Sequence, residues 1–190
     1  MTRVRDAIST LICFMILVPV LVLSTAAVGL KPRHWSGVAL STVRLPLFHQ
    51  SLSGGTRPPV MDEVTDALVA MNDDGWVSVI PGRDGRVHVE TTRLHSSLLS
   101  DLGRRFGGDT VGVVYSPLAQ RPSLDMTSHP SAAETWQRMD PLGTWVTLTF
   151  GFPWQLGTAL LLTAIWWAHV LRRRRSGPAP VPQPAGVSPN

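Results

Sequence analysis

The chain has 190 residues, 44% hydrophobic and 16% charged, enough for one modest domain or a small domain with membrane segments. The net charge of +4 does not mark a nucleic-acid binder: Arg172–Arg175 and the two arginines at positions 3 and 5 carry the excess, and residues 7–171 hold eleven basic and twelve acidic side chains, with no basic stripe of the kind nucleic acid needs. One cysteine, Cys13, excludes an internal disulfide and a cysteine-based zinc site.

Sixteen arginines stand against one lysine, a usage typical of high-GC bacterial coding. Residues 1–6, with Arg3 and Arg5, read as a cytoplasmic N-terminus. Residues 7–30 carry no charge and read as a first transmembrane helix, since about 20 apolar residues cross a hydrocarbon core of about 30 Å. Pro19 is tolerated there as a kink. The competing reading is a cleaved signal peptide, with Ser24-Thr25-Ala26 as the cleavage region. The apolar stretch is long for a signal h-region of about 7–15 residues. Cys13 sits mid-run without a lipobox and reads as an ordinary small apolar residue; the alternative is palmitoylation.

Residues 31–60 are punctuated by Lys31-Pro-Arg-His-Trp35 and by Ser51-Leu-Ser-Gly-Gly-Thr-Arg-Pro-Pro59. Such density of glycine and proline reads as an extracytoplasmic connector. Trp35 is either a membrane-surface anchor or a plain exposed tryptophan. Val38 to Phe48 suits the membrane interface, with Pro46 limiting any helix.

Residues 61–117 read as a small folded domain. Met61, Val64, Leu68 and Met71 follow helical spacing behind Asp62 and Glu63, and Asn72-Asp-Asp-Gly75 ends that helix. Trp76–Ile80 and Arg86–Glu90 read as a hairpin around Pro81-Gly-Arg-Asp-Gly85. Leu94, Leu98 and Leu102 predict a short second helix over 94–105, capped by Thr91 or Thr92. Thr110–Tyr115 reads as a third strand, with Val111, Val113 and Tyr115 on one face as its core positions. The expected fold is therefore α+β, or mainly β. About 57 residues make a marginal core without disulfide or metal, so the domain should lean on the membrane helices, on another copy or on a partner.

Residues 118–141 read as an irregular connector. Residues 142–171 read as a second transmembrane helix, kinked or started at Gly151-Phe-Pro153. Trp145 and Trp154 mark one membrane interface, and Trp166 and Trp167 with Arg172, Arg173, Arg174 and Arg175 mark the other. Ala164 and Ala168 form a small-xxx-small pair that permits close helix contact. Residues 172–190 read as a disordered cytoplasmic tail, whose alternating prolines lack the P-x-x-P spacing of SH3 ligands. The arginines place both termini in the cytoplasm and residues 31–141 outside it, in the plasma membrane of a high-GC bacterium. Lys31, Arg33 and Arg44 oppose that orientation, but long segments translocate largely regardless of charge.

The stretch Gly108-Asp-Thr-Val-Gly-Val-Val-Tyr-Ser-Pro117 has the form G-D-x-V-x-V-x-Y-x-P. It follows a hairpin through Asp84-Gly85-Arg86 and precedes a C-terminal apolar helix, with Ser123-Leu124-Asp125 between. Over residues 75–171 the chain resembles a bacterial family of two-pass membrane proteins of unknown function, whose small extracytoplasmic β domain carries this box. The resemblance implies an architecture and no activity. The tether at 31–60 and the helices at 61–72 and 94–105 depart from an all-β fold.

Candidate chemistry is sparse. His88 and Glu90 share a strand face and His95 follows, a combination able to bind zinc or another divalent ion; polar residues on a solvated hairpin face give the same pattern. Met126 and His129, together with His34, form a second candidate set, suited to copper. Ser96 and Ser97 lack the glycines of a nucleophile elbow, and Gly107-Gly108 lacks the Gly-Lys-Ser/Thr of a phosphate loop. No catalytic residue and no cofactor is implied. The partners expected are membrane lipids together with an envelope or membrane protein or a second copy. The leading expectation is a non-catalytic accessory or scaffolding subunit. Two alternatives stand beside it: an envelope enzyme or metal-binding factor using the hairpin histidines, and a membrane-permeabilising oligomer.

Overall fold

The computed structural model describes residues 2–44, 56–71, 75–119 and 139–175, with backbone alone for Thr2, Arg3 and Arg173–Arg175. The reading of 45–55 as connector, the turn at 72–74, the irregular segment over 120–138 (with Met126 and His129) and the tail from 176 onward lie outside the described residues.

Helix α1 runs Thr2–Ala27 and contains Pro19. Strand β1 is Ala39–Val43, and helix α2 is Met61–Ala70. Strands β2 (Trp76–Pro81) and β3 (Val87–Thr91) form the hairpin. Helix α3 is Ser96–Phe106 and strand β4 is Val111–Tyr115. Two further helices follow, α4 (Pro141–Phe150) and α5 (Pro153–Arg175). The four strands make one mixed sheet in the order β1-β4-β3-β2. The hairpin is antiparallel, while β4 runs parallel to both β3 and β1. Strands β3 and β4 are joined through α3, a helical crossover of the kind parallel neighbours require. The fold is thus α+β with helices.

Two differences from the sequence reading have physical causes, and one alternative it left open is decided. The connector expected over 31–60 holds β1, all five of whose residues are buried. Val38-Ala-Leu-Ser-Thr-Val43 lacks the two-residue alternation of a half-exposed strand because neither of its faces meets solvent; such runs give no periodic signal. In the second apolar segment the structure takes one of the two alternatives at Gly151-Phe-Pro153, a fresh helix start rather than a kink. It breaks at Gly151-Phe152, and α5 starts anew with proline in its first turn, where a missing N–H costs nothing. Helix α3 begins after His95 in extended conformation, without a side-chain cap. Neither Thr91 nor Thr92 serves it: the hydroxyl of Thr91 donates to the carbonyls of Gly75 and Arg93, and that of Thr92 to Gly75.

The core is one continuous cluster. Val87, Val89, Val111 and Val113 from the sheet meet Val64 and Leu68 of α2 and Leu98, Leu99 and Leu102 of α3. The same cluster continues into Val18, Val22 and Ala26 of α1, Leu148 of α4, and Phe152 and Ala159 around the start of α5. The small domain therefore shares its core with the long helices, which answers its marginal size. Two helical stretches, Val4–Ala27 and Pro153–Arg172, are long and apolar enough to cross a membrane.

Candidate functional site

Alternation along β3 sends Val87 and Val89 into the core and turns His88 and Glu90 to the opposite face of the sheet. Both are buried, at 4% and 7% exposure. Strand β4 contributes Gly112 and Val114 to that face, paired with His88 and Glu90, and β1 contributes Ala39 and Thr42. A bulge between Leu40 and Thr42 sets Ser41 over Gly112.

Glu90 is held by three donors. Ser78 Oγ donates at 2.7 Å, Ser116 Oγ at 2.7 Å, and Arg44 Nη1 at 3.2 Å. Both carboxylate oxygens are thereby engaged, the condition for keeping a buried charge. His88 Nε2 lies 3.0 Å from Asp84 Oδ1, and Lys31 Nζ donates to Asp84 Oδ2 at 2.7 Å. Burial would raise the Asp84 carboxyl. The hydrogen bonds from Lys31 and His88, the His88 charge and the Arg86 backbone N–H together outweigh burial and hold it well below the ordinary carboxylate range.

Between these two networks three buried polar atoms, Ser41 Oγ, His88 Nδ1 and Arg44 Nε, make no hydrogen bond among the described residues. Ser41 and His88 flank the bare backbone of Gly112. A Cβ there would strike Ser41 Oγ and come within 3.2 Å of His88 Nδ1. The glycine inside the G-D-x-V-x-V-x-Y-x-P box thus lets Ser41 and His88 pack close onto bare backbone. Gly108, at the head of the box, has a different reason: a Cβ on it would collide with the backbone of Gly37.

His95 belongs elsewhere. Its Nε2 lies 2.9 Å from Asp140 Oδ2, and Asp140 caps α4 by accepting from the Gly143 N–H at 3.1 Å. Leu94 N donates to Thr144 Oγ1 at 3.0 Å beside it. His95 therefore ties the start of α3 to the start of α4. The candidate zinc set of His88, Glu90 and His95 is not brought together: the three share no partner among the described residues, Glu90 accepts from three donors, and no described group of three or more His, Cys, Asp or Glu is placed to hold a metal ion.

A second constellation lies where the domain meets the helices. Trp35 N–H donates to the Gly151 carbonyl at 3.0 Å, and its indole Nε1 donates to the Phe150 carbonyl at 2.7 Å. These carbonyls belong to the break between α4 and α5, where helix ends leave acceptors free. Next to it the His34 ring packs edge-on against Phe152, with centroids 5.9 Å apart. Ser36 N–H donates to His34 Nδ1 at 3.1 Å, so the neutral ring carries its proton on Nε2. Burial lowers the His34 pKa from 6.5.

Of the other positions singled out in the sequence, Val111 and Val113 are fully buried in the core. Tyr115 is half-buried against it, and its burial raises the phenol pKa. Trp145 is half-buried, whereas Trp154 is 78% exposed. Trp166 and Trp167 pack edge to face at 5.7 Å, and Arg172 is exposed. Sequence reading missed Ser41, Arg44, Gly112 and the Trp35 contacts. The glycine at the centre of an otherwise valine-rich strand was the available signal, since such a glycine marks close approach of another group.

The chain matches no known family model, no curated protein and no solved structure.

Proposed function

We propose that the chain is a two-pass plasma-membrane protein, both termini cytoplasmic, that presents its α+β domain to a cell-envelope partner as a non-catalytic accessory or scaffolding subunit. The observation that carries this reading is the double hydrogen bond of Trp35 to the α4–α5 break, backed by a core continuous from sheet to helices. A domain on a flexible tether samples many orientations; one clamped to its anchors meets a partner in a fixed pose with less ordering to do on binding. The three basic residues that oppose this orientation, Lys31, Arg33 and Arg44, are each paired with a domain carboxylate: Asp84, Asp109 and Glu90. Their charge is compensated on the translocated side. Mild-detergent purification of the tagged chain from native membranes, with quantitative mass spectrometry, tests the reading. A stoichiometric envelope protein is the expected result. Recovery of the chain alone, or only with itself, sinks the reading.

A second reading, an envelope enzyme, is favoured by one observation. Asp84 orients His88 through Nε2, and His88 Nδ1 and Ser41 Oγ, neither with a hydrogen bond among the described residues, both lie against the Gly112 backbone, residue types that supply orienting acid, base and nucleophile. Labelling of Ser41 by a fluorophosphonate probe, lost in His88→Ala, would promote this reading. An unlabelled chain under conditions that label a control serine hydrolase removes it.

A further inference from the structure

Helix α4 turns polar side chains inward and apolar ones outward. Leu142, Val146 and Phe150 are all exposed, and their spacing of four puts them on one stripe. Thr144 and Thr147, on the other side, are buried. Thr144 Oγ1 accepts from the Leu94 N–H at 3.0 Å, and Thr147 Oγ1 hydrogen-bonds with Ser96 Oγ at 3.4 Å. The threonines thus hold α4 to the start of α3. A surface helix of a water-soluble domain has the opposite arrangement, apolar stripe to the core and polar face to water.

Length says where the stripe goes. No Asp, Glu, Lys or Arg occurs over residues 141–171. One helix of that length would run about 46 Å, against a hydrocarbon core of about 30 Å. The candidate span Pro153–Arg172, with 20 residues, already crosses that core by itself. Helix α4 is therefore in excess of the span. It is also set off from it: α4 ends at Phe150, and the carbonyls of Phe150 and Gly151 accept from Trp35.

Position says what covers the stripe. Phe150 stands four residues before Trp154, which is exposed in the first turn of α5, and the exposed Trp35 is bonded to the Phe150 carbonyl. Three aromatic rings thus gather where the span begins, the headgroup level at which tryptophan concentrates. On its inner side α4 packs against α1. There Leu148 joins the cluster containing Val18, Val22 and Ala26, which belong to the other candidate span, Val4–Ala27. Helix α4 is held at the height where both spans leave the membrane. A protein on the stripe would have to displace lipid at that height, whereas the bilayer covers it directly.

We propose that α4 lies along the extracytoplasmic surface of the membrane, with Leu142, Val146 and Phe150 sunk into the boundary between headgroups and acyl chains, at the depth of about 5–10 Å usual for such helices. The inference rests on the two-pass reading. The bilayer surface is then a docking surface for the domain. The His95–Asp140 pair and the Leu94–Thr144 hydrogen bond tie α3 to the seated helix, so the sheet stands at a fixed height above the lipid.

The test uses the full chain with Cys13→Ala, reconstituted in phosphatidylcholine vesicles, with one nitroxide label at a time on Leu142→Cys, Val146→Cys or Phe150→Cys. Ser100→Cys on α3 and Leu161→Cys on α5, both at exposed positions, serve as the references for water and hydrocarbon. Collision of each nitroxide with oxygen and with a water-soluble nickel complex reports its depth. The three α4 labels should share one shallow depth between the two references, with an oxygen-to-nickel ratio several-fold above that of Ser100→Cys. A steady descent of about 12 Å from position 142 to position 150 would put α4 in the span, and a ratio equal to that of Ser100→Cys would leave the stripe in water. Either result overturns the interfacial seat. Labels immobilised and shielded from both reagents would overturn it as well, by showing a second copy on the stripe. A Leu161→Cys label open to nickel would instead overturn the membrane reading beneath it.

Discussion

The indole of Trp35 donates to the carbonyl of Phe150 across 115 residues of sequence, at 2.7 Å. One residue on, the Trp35 backbone N–H satisfies Gly151. Trp35 is 65% exposed, so its packing contributes little and its hydrogen bonds carry the contact. The segment leaving α1 thereby holds the joint between the last two helices.

Trp35→Phe removes the indole donor while keeping an aromatic ring. A loss of about 0.5–1.5 kcal/mol is expected, the usual net worth of one such bond. Thermal unfolding in detergent checks it. The variant should also give faster proteolysis between α4 and α5 than wild type; identical proteolysis would show that the joint is held by something else.

Gly151→Ala tests the same joint from the other side. A Cβ there meets the His34 ring at 2.8 Å and approaches the Thr147 carbonyl at 2.5 Å. Overpacking of this kind costs about 1–3 kcal/mol. A companion Gly157→Ala, where a Cβ meets nothing within 4 Å, should be neutral or slightly stabilising through helix propensity.

Acid should loosen the joint through His34. Burial lowers its folded pKa below the ordinary 6.5. The unfolded state therefore binds the proton first as pH falls. The stability due to the neutral ring is complete above about 6.5 and declines as pH drops below it toward the folded pKa. Protonation on Nδ1 also removes the acceptor of the Ser36 N–H. His34→Gln should flatten the stability profile between pH 7 and 5. A profile unchanged by this substitution would assign the acid sensitivity to another group.

The polar sheet face predicts a graded series. Glu90→Ala strips a buried carboxylate from Ser78, Ser116 and Arg44 at once and should cost about 2–3 kcal/mol, at the upper end for hydrogen bonds to charge. Ser78→Ala removes one donor and should cost about 1 kcal/mol. Gly112→Ala should be destabilising, since its Cβ displaces Ser41. Equal effects of Glu90→Ala and Ser78→Ala in denaturant titrations would contradict the shared network.

Orientation can be read with cysteines in a Cys13→Ala background. Ser100→Cys, exposed on α3, should react with a membrane-impermeant maleimide on intact cells. Ser176→Cys should react only after lysis. The reverse pattern inverts the topology.

Local periodicity carried much of the secondary structure. Leu98 and Leu102 announce α3, and the alternation through His88 and Glu90 announces β3, because each has one dry and one polar side. Strand β1 was hidden because both of its faces are buried and its partner β4 lies some seventy residues on. Nothing within a short window records such a pairing. The cluster of Ser41, His88 and Gly112 was hidden for a related reason: the three sit on three different strands and meet only through the register. His95 misled because proximity in sequence to His88 stands in poorly for proximity across a turn.

The strand order has a consequence for biosynthesis. Strand β1 follows α1 closely, yet its neighbour β4 is made only after α2, the hairpin and α3. During synthesis β1 must wait unpaired, while the local β2–β3 hairpin closes at once and α3 can fold β4 onto it. Closing the long loop back to β1 is then the last and slowest event in building the sheet, and the helix joint that Trp35 holds is made later still. The domain cannot be clamped to the helices until Phe150 and Gly151 have been made, so a chain interrupted after β4 would hold a complete sheet with Trp35 still unattached.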